Sequence, residues 1–389
     1  MLCAVAMLAR RPSIIRAPTL WLEDAGVFLR GARVDGVSAL THAYNGYFHT
    51  VPRLIALVVN WFPVSWTPTL YALLSAFVAA GCCALVMSQR LGWLFRSRVR
   101  QWVTLALLVA LPRIGEIQAT LTNTIWWLGL ALLLTILCDD PTTAVGRRSE
   151  VALVVLFVLS GANGVLLAPF MLVRVGRLRS SHSWRLLTSW WLAAGIQVVA
   201  LATGTRPDPG AVPSSVASLG RWAVERTVGP LVIGGNWVEE RQHLVTDYRL
   251  RYTALVIIAA IGITVVILAG HRWTTSVMAL GVPIVGVAAG LVATGGFARW
   301  LPGRYTAIPI AALLIGLISA HPPQRLVRCA QYALLVWIIA IRPVDLVIPA
   351  RPAIAWEPVA TCLERNLEVC AVPSNPDPSA PPALIPASR

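Results

Sequence analysis

The chain has 389 residues, of which 57% are hydrophobic and 13% are charged, and its mean hydropathy is +0.70. Soluble domains carry about 25% charged residues, and a single soluble core of this size would not bury so much apolar side chain. The composition therefore argues against a soluble enzyme and a nucleic-acid binder, and it predicts an integral membrane protein. The net charge is +15, and all 32 basic residues are arginines, since the sequence contains no lysine. In a membrane protein the distribution of this charge among the loops is a signal of topology.

Apolar runs separated by polar loops predict an all-α, polytopic transmembrane bundle with about ten crossings. The candidate crossings are residues 66–88, 101–112, 123–138, 150–160, 162–175, 185–203, 252–270, 275–297, 306–320 and 328–348. Four of them are short. The pairs 101–112/123–138 and 150–160/162–175 are each either a hairpin of short helices or one longer, broken helix.

Arginines are concentrated in the loops on one side of this arrangement, for example in residues 90–100 and 174–185. The positive-inside rule places that side in the cytoplasm, with the chain in the plasma (inner) membrane. Two loops, residues 21–65 and 204–251, then lie outside.

The same topology divides the chain into three parts. Residues 1–20 form an N-terminal stub, truncated or atypical, whose apolar run is too short to cross a membrane. Residues 21–349 form the transmembrane domain. Residues 350–389 form an external, Pro-rich tail that we expect to be extended or disordered.

Ionisable residues are nearly absent from the predicted crossings, Asp345 at the outer end of the last one being the nearest case. Transporters that run on ions usually carry such residues inside their spans. The pattern therefore disfavours a proton-coupled transporter and favours chemistry at the outer membrane surface.

The adjacent carboxylates Glu23 and Asp24 are the sharpest feature of the first external loop. One interpretation is the N-terminus of a helix, where acids favour the helix dipole and Asp caps free N–H groups. The other is a general base or a metal ligand at the boundary of water and lipid. One acid pair does not define a metal site, so the sequence leaves open whether a divalent cation binds here.

Arg53 and His49 follow in the segment 44–57, where Gly46 and Pro52 predict a bend. Arg53 is either an arginine that extends to the membrane interface or a clamp for a lipid phosphate, because arginine is the preferred planar partner of phosphate. A lone histidine such as His49 is more often structural than catalytic.

Two later turns also lie outside on this topology. Glu116 and Asn123 belong to the first, which is either a plain polar turn or part of the same cleft as Asp24. Arg304 and Tyr305 belong to the second, a Pro-Gly turn, and Arg304 is the second candidate to bind phosphate.

Cys362 and Cys370 lie eight residues apart in the external tail, where an oxidising compartment permits a disulfide, although two free thiols are the alternative. The seven cysteines form no CxxC or Cys/His cluster, so a zinc site is not predicted.

These motifs together resemble the GT-C superfamily of polytopic membrane glycosyltransferases, and in particular its bacterial members. The resemblance covers most of residues 21–350. It is carried by Trp21, Glu23, Asp24 and Phe28, then Gly46, Tyr47, Pro52 and Arg53, with Asn123, Trp126, Gly164, Pro169, Arg304, Tyr305 and Pro309. The family places a full transmembrane helix before the acid pair, which implies eleven crossings rather than ten.

The resemblance implies an enzyme that takes a sugar from a polyprenyl-phosphate donor and transfers it, outside the membrane, to a cell-envelope glycan or glycolipid. Asp24, with Glu23 beside it, would be the general base. The substrate-binding residues would be Arg53, His49, Glu116, Asn123, Arg304 and Tyr305. No nucleotide or nucleic-acid partner is expected. The alternatives are a flippase or polymerase-like protein for lipid-linked glycans, and a non-catalytic membrane protein.

Overall fold

The fold is a bundle of helices with a single small β-hairpin at the C-terminal end of the described chain. The computed structural model describes residues 1–204, 227–235, 248–268, 273–293, 303–350, 354–365, 369–373 and 382–386. Most of the predicted external loop 204–251 lies outside the described residues. The all-α prediction is confirmed for the bundle itself.

Helices occupy all ten stretches that the sequence predicts as crossings. The longer α-helices are Thr67–Ala84, Arg98–Val109, Thr124–Leu137, Ala144–Val158, Ser181–Thr203, Tyr248–Leu268, Trp273–Ala293, Ala307–Ser319 and Arg325–Ile341, with Asn163–Leu167 and Met171–Leu178 as a shorter pair. Within the described part, two helical segments, Val64–Met87 and Ser181–Thr203, are long and apolar enough to cross a membrane. The other crossings and the orientation stay predictions.

The shorter helices of the bundle are also apolar or lie at its ends. They are Leu2–Ala9, Ser13–Arg16, Arg30–Val34, Thr50–Val59, Gly92–Phe95, Gly229–Ile233, Pro343–Leu346 and Glu357–Glu364, and the strands are Val369–Val372 and Ala383–Pro386.

Thr124–Leu137 is the central helix, and nearly every side chain on it is buried. It packs against Thr67–Ala84, Ala144–Val158 and Ala307–Ser319. A helix that is apolar on all sides is one surrounded by other elements. At about 1.5 Å per residue it spans about 20 Å from one end of the bundle to the other.

The region 101–138 is a pair of short helices rather than one broken helix. Helix Arg98–Val109 ends before Pro112, and residues 110–123 form a buried loop that returns to the central helix. Its polar groups bond within the protein: Gln118 donates to the carbonyl of Met7 at 2.5 Å, and the Trp127 indole donates to the carbonyl of Ile117 at 3.2 Å. A buried loop needs such partners, because unpaired backbone and side-chain groups are costly.

The predicted N-terminal stub is integrated into the bundle. Helix Leu2–Ala9 packs against Thr67–Ala84, with Met7 fully buried. Arg10 is buried as well and donates to the carbonyls of Val109, Leu111 and Asp345. The guanidinium thus joins the N-terminal helix to the end of helix Arg98–Val109 and to the short helix Pro343–Leu346.

The first external segment is helical rather than a loop. A π-helix, Asp24–Leu29, continues directly into the α-helix Arg30–Val34, and we call residues 24–34 the acidic helix. Helix Thr50–Val59 follows. The predicted bend lies at Asn45 and Gly46, both with positive φ, and not at Pro52. Proline is tolerated in the first turn of a helix, where its missing N–H is no loss.

The prediction of an extended or disordered tail is wrong for its described residues. Helix Glu357–Glu364 and an antiparallel hairpin, in which Cys370 lies opposite Ile385, form a folded unit. We call the described residues between 354 and 386 the C-terminal cap. The predicted disulfide between Cys362 and Cys370 is confirmed, with the two Cα atoms 5.9 Å apart. The cap packs on the acidic helix, a contact that composition alone does not reveal.

At one end of the central helix lies a network of charged residues that we call the Glu150 network. Glu150 accepts hydrogen bonds from Arg90, from both terminal nitrogens of Arg174 at 3.0 Å and from His182 at 2.7 Å. Arg174, which is completely buried, also donates to Asp140 at 2.8 Å. These residues belong to the arginine-rich loops that the sequence assigns to the cytoplasm.

Candidate functional site at the other end of the bundle

Asp24 is buried, and the expectation of a water-accessible carboxylate is wrong. Its side chain is 2% exposed, and its two oxygens accept hydrogen bonds from the backbone N–H groups of Leu121 at 3.1 Å and Thr122 at 2.8 Å. It does not cap its own helix either, because no side-chain cap bond is formed there. Asp24 instead joins the acidic helix to the buried loop 110–123, close to the N-terminus of the central helix.

Glu116 lies next to both Asn123 and Arg304, three of the residues that the family resemblance assigns to substrate binding. Asn123 donates its side-chain amide to the carbonyl of Glu116 at 3.1 Å. The Glu116 carboxylate lies 3.6 Å from a terminal nitrogen of Arg304. Arg304 thereby meets a loop that lies far from it in the sequence.

Gly303 explains how the two loops approach so closely. A Cβ atom at this position would lie 2.0 Å from the carbonyl oxygen of Arg113, so only glycine fits. The seam between residues 303–306 and the loop 110–123 therefore places Arg304 within reach of Glu116.

Arg304 is partly exposed and is surrounded by acidic and aromatic groups. Burial lowers the pKa of Arg304, but Tyr305, Glu116 and Glu23 outweigh it, so that the pKa lies above its ordinary value. The guanidinium lies 5.4 Å from the ring centre of Tyr305, whose ring meets that of Trp126 edge to face at 5.0 Å. The result is a fixed cation between carboxylates and aromatic faces.

Glu23 has the least committed carboxylate of this group. The residue is half-buried, and its Oε2 atom is buried without a hydrogen bond to any described residue. Its charge acts on Arg304 and on Tyr44: burial raises the pKa of the Tyr44 phenol, and Glu23 raises it further. A buried oxygen that finds no partner within the protein is available to a ligand or a water molecule.

His49 and Arg53 lie deeper than the sequence predicts. His49 is 1% exposed, stacks on Tyr47 with ring centres 4.5 Å apart and contacts Phe28 and Tyr44. Burial, with Arg53 nearby, lowers the pKa of His49 to about 3. The ring is therefore neutral and structural, as a lone histidine most often is.

Arg53 does not extend to a membrane surface. It is 4% exposed, its guanidinium lies 5.8 Å from the ring centre of Phe28, and its Nε makes no hydrogen bond to a described residue. The Tyr44 ring centre lies 5.7 Å from that of His49, and the charges of Glu23 and Arg304 also act on its phenol, Glu23 raising the pKa and Arg304 lowering it.

The turn that carries Tyr44 is held rigidly. Tyr44 and Tyr47 exchange backbone hydrogen bonds across Asn45 and Gly46. The side chain of Gln197, on helix Ser181–Thr203, then accepts from the N–H of Phe48 at 2.8 Å and donates to its carbonyl at 3.2 Å. Non-glycine residues with positive φ, such as Asn45, persist only where surrounding contacts hold them.

The sequence analysis did not assign Tyr44, Trp126 or Gln197 to the site. Trp126 appeared only among the residues that carry the family resemblance, and Tyr44 only as the first residue of the segment 44–57, without a role. The tyrosines that flank the Asn-Gly turn were the available signal. Gln197, in an otherwise apolar helix, was a second one, because polar side chains inside spans usually have a specific partner.

We define the Glu23 site as Glu23, Tyr44, Glu116, Arg304 and Tyr305. Within the described part of the chain, no group of three or more histidine, cysteine, aspartate or glutamate side chains is placed to hold a metal ion. The Glu23 site itself contains the carboxylates of Glu23 and Glu116, the guanidinium of Arg304 and the rings of Tyr44 and Tyr305.

Comparisons with known proteins give little further information. No protein-family model and no curated protein sequence matches the chain. Among solved structures it is similar to the arabinofuranosyltransferase AftD from Mycobacteria, determined by cryo-electron microscopy, with 14% sequence identity and a TM-score of 0.45. The match covers 95% of this chain and 28% of that protein, and at this TM-score it does not establish a common fold.

Proposed function

We propose that this chain is a membrane glycosyltransferase of the GT-C type that moves a sugar from a polyprenyl-phosphate donor to an acceptor on the extracytoplasmic face. The observation that supports the proposal is the approach of Glu116 to Arg304, from segments far apart in sequence, within the electrostatic reach of Glu23, whose Oε2 atom is buried without a hydrogen bond. A proton acceptor beside a fixed cation is what transfer from a phosphate leaving group requires.

In the proposed reaction, a hydroxyl of the acceptor attacks the anomeric carbon of the donor sugar. Glu23 takes the hydroxyl proton, the bond from the sugar to the phosphate oxygen breaks, and its electron pair stays on the lipid phosphate. Arg304, which is partly exposed, stabilises that developing charge. Tyr44 and Tyr305 offer ring faces to the sugar between these two groups.

This assignment moves the base from Asp24 to its neighbour. Asp24 is buried and holds two backbone N–H groups, so its contribution is to position the acidic helix. Glu23, one residue earlier, presents the carboxylate oxygen that no described residue binds.

The test is a transfer assay with the full chain in lipid nanodiscs. Polyprenyl-phosphoryl hexoses and pentoses, radiolabelled in the sugar, serve as donors, and a cell-envelope glycolipid extract serves as the acceptor. We expect label in the glycolipid and release of polyprenyl phosphate. Movement of intact donor across a bilayer, without release of polyprenyl phosphate, would favour a flippase instead.

Two substitutions separate the roles of the acid pair. Glu23→Gln should lower the transfer rate by about 10²–10⁴-fold, the usual contribution of a general base, without loss of folded protein. Asp24→Asn should destabilise the fold by about 1–3 kcal/mol, because an amide oxygen replaces only one of two acceptors and its NH₂ faces a backbone donor. The exposed Glu357→Gln is the matched control. Full activity of Glu23→Gln would reject the assignment.

The active face has its own test. The cap and the acidic helix pack together, so an active alkaline phosphatase fused to the C-terminus would place the Glu23 site outside the cytoplasm. An inactive fusion, with a fluorescent protein active at the same position, would reverse the proposed orientation.

A further inference from the structure

We infer that the C-terminal cap positions the acidic helix and that the Cys362–Cys370 disulfide makes this positioning sensitive to thiol reductants. The inference concerns the conformation of the chain itself. Only its consequence for sugar transfer rests on the proposed function.

The cap and the acidic helix share one apolar cluster. From the acidic helix it contains Ala25, Phe28, Leu29 and Ala32, and from the cap Val359, Leu363, Cys370, Val372 and Ile385. All of these side chains are at least nine-tenths buried. Strand Ala383–Pro386 lies directly on the π-helical turn, since a Cβ atom at Gly26 would be 3.5 Å from that of Ala383.

Two polar contacts fix the register of this packing. Arg33, near the end of the acidic helix, donates to the carbonyl of Leu363 at 3.0 Å. The Trp356 indole donates to the carbonyl of Val64, at the start of the first span-length helix, at 2.9 Å. Leu363 follows Cys362 directly, so the carbonyl that Arg33 binds is adjacent to the disulfide.

The disulfide is the main internal tie of the cap. It links helix Glu357–Glu364 to strand Val369–Val372. A two-stranded hairpin is marginally stable at best in water, and units of this size usually depend on disulfides. Without the bond, the apolar cluster and the hydrogen bond from Trp356 to Val64 would remain, but the covalent link between the cap helix and the hairpin would be lost.

The acidic helix is clamped from its other side by the loop 110–123. Asp24 reaches the N–H groups of Leu121 and Thr122, and Leu121 belongs to the same apolar cluster as the cap. Loosening the cap would therefore weaken the Asp24 contact, and with it the position of Glu23 beside Arg304.

Only one disulfide is present for a reductant to cleave. All seven cysteines lie in the described part of the chain, and the five outside the cap are free thiols. Cys362 is partly exposed, whereas Cys370 is 1% exposed. A dithiol reductant attacks the Cys362 sulfur, Cys370 leaves as a thiolate and takes a proton, and the second thiol of the reductant displaces Cys362, so that the reductant becomes a disulfide.

Hydrogen–deuterium exchange of the full chain in nanodiscs, with and without dithiothreitol, tests the inference. We expect exchange to accelerate on the order of 10- to 100-fold in residues 24–34 and at the amides of Leu121 and Thr122. The part of helix Ala144–Val158 around Glu150, at the other end of the bundle, should be unchanged. Reoxidation should restore slow exchange, and the C362S/C370S variant should match the reduced protein.

Two outcomes would overturn the inference. One is unchanged exchange in residues 24–34 on reduction, and the other is acceleration throughout the bundle, which would make the disulfide a general staple. Arg33→Met should reproduce part of the effect and Arg33→Lys should rescue it, since lysine can still donate to Leu363. Because exchange needs no substrate, a failed transfer assay leaves this test intact.

Discussion

The two ends of the bundle both gather carboxylates and guanidinium groups, but they use them differently. In the Glu150 network both oxygens of the central carboxylate accept hydrogen bonds, from two arginines and a histidine. In the Glu23 site one carboxylate oxygen makes no hydrogen bond to a described residue, and Glu116 lies 3.6 Å from Arg304. The same residue types thus form a network around a fully hydrogen-bonded carboxylate at one end and a less completely bonded arrangement at the other.

The contrast shows that charge alone does not identify a functional site. Buried ions that satisfy each other are costly to remove and do little else. Polar groups left unsatisfied inside a protein are the ones that require an explanation. Four predictions test whether the two ends differ in this way, from the largest expected effect on stability to the smallest.

Glu150→Gln should have the largest effect. It removes the carboxylate from the completely buried Arg174 and from His182. Breaking a buried ion pair from one side costs about 3–5 kcal/mol, and we expect a value near the lower end because Asp140 still binds Arg174. Thermal unfolding in detergent measures this loss. A stability like that of the exposed Glu357→Gln control would contradict a structural role for the network.

Gly303→Ala should come next, and it acts on the open end. The added Cβ would meet the carbonyl oxygen of Arg113 at 2.0 Å, so the loops that carry Arg304 and Glu116 must separate. We expect a destabilisation of about 1–3 kcal/mol, as for other overpacked sites. The protein that still folds should bind the donor lipid more weakly, which a lipid-binding assay on folded protein measures. Unchanged binding would mean that this seam does not set the position of Arg304.

His49 should give a smaller, pH-dependent effect. Its folded pKa of about 3 lies below its ordinary value of 6.5, so between these values the unfolded chain binds the proton more readily. Its contribution is complete above pH 6.5 and declines as the pH falls, by about 2 kcal/mol at pH 5. His49→Asn, whose amide can still donate to the carbonyl of Tyr47, should flatten the stability profile between pH 7 and pH 5. An equally steep profile in this variant would show that His49 is not the group responsible.

Asp35→Asn should have the smallest effect. Asp35 and His42 form an exposed pair 3.4 Å apart, close to the acidic helix but outside its contacts with the cap. Exposed pairs contribute between zero and about 1 kcal/mol, and we expect a change below about 0.5 kcal/mol. A loss of stability as large as that of Glu150→Gln would show that the exposed pair contributes as much as the buried network.

Local features of the structure could be read from the sequence, and long-range ones could not. Apolar runs located the helices, and the short spacing of Cys362 and Cys370 allowed the disulfide. The burial of Asp24 depends on Leu121 and Thr122, about a hundred residues away, and no local pattern encodes that contact. The order of the tail depends on pairing between Cys370 and Ile385 and on the apolar face of the acidic helix, which outweigh its proline content.

The site followed the same rule. Glu116, Asn123 and Arg304 were grouped through the family resemblance as substrate-binding residues, and the structure places Glu116 next to both of the others. Arg53 was interpreted as an arginine at the membrane interface or as a phosphate clamp, because a sequence does not show that Arg53 is buried beside Phe28. The structural interpretation of His49 agrees with its burial and its stacking on Tyr47.

The clamp between Gln197 and Phe48 couples the tyrosine turn to helix Ser181–Thr203, which at 23 residues is about 34 Å long and is apolar enough to cross a membrane. Tyr44 is thereby held by that helix, whereas Arg304 meets the loop 110–123 through Glu116. A tilt of the helix relative to the rest of the bundle would change the distance between Tyr44 and Arg304, so the width of the Glu23 site depends on how this one helix packs.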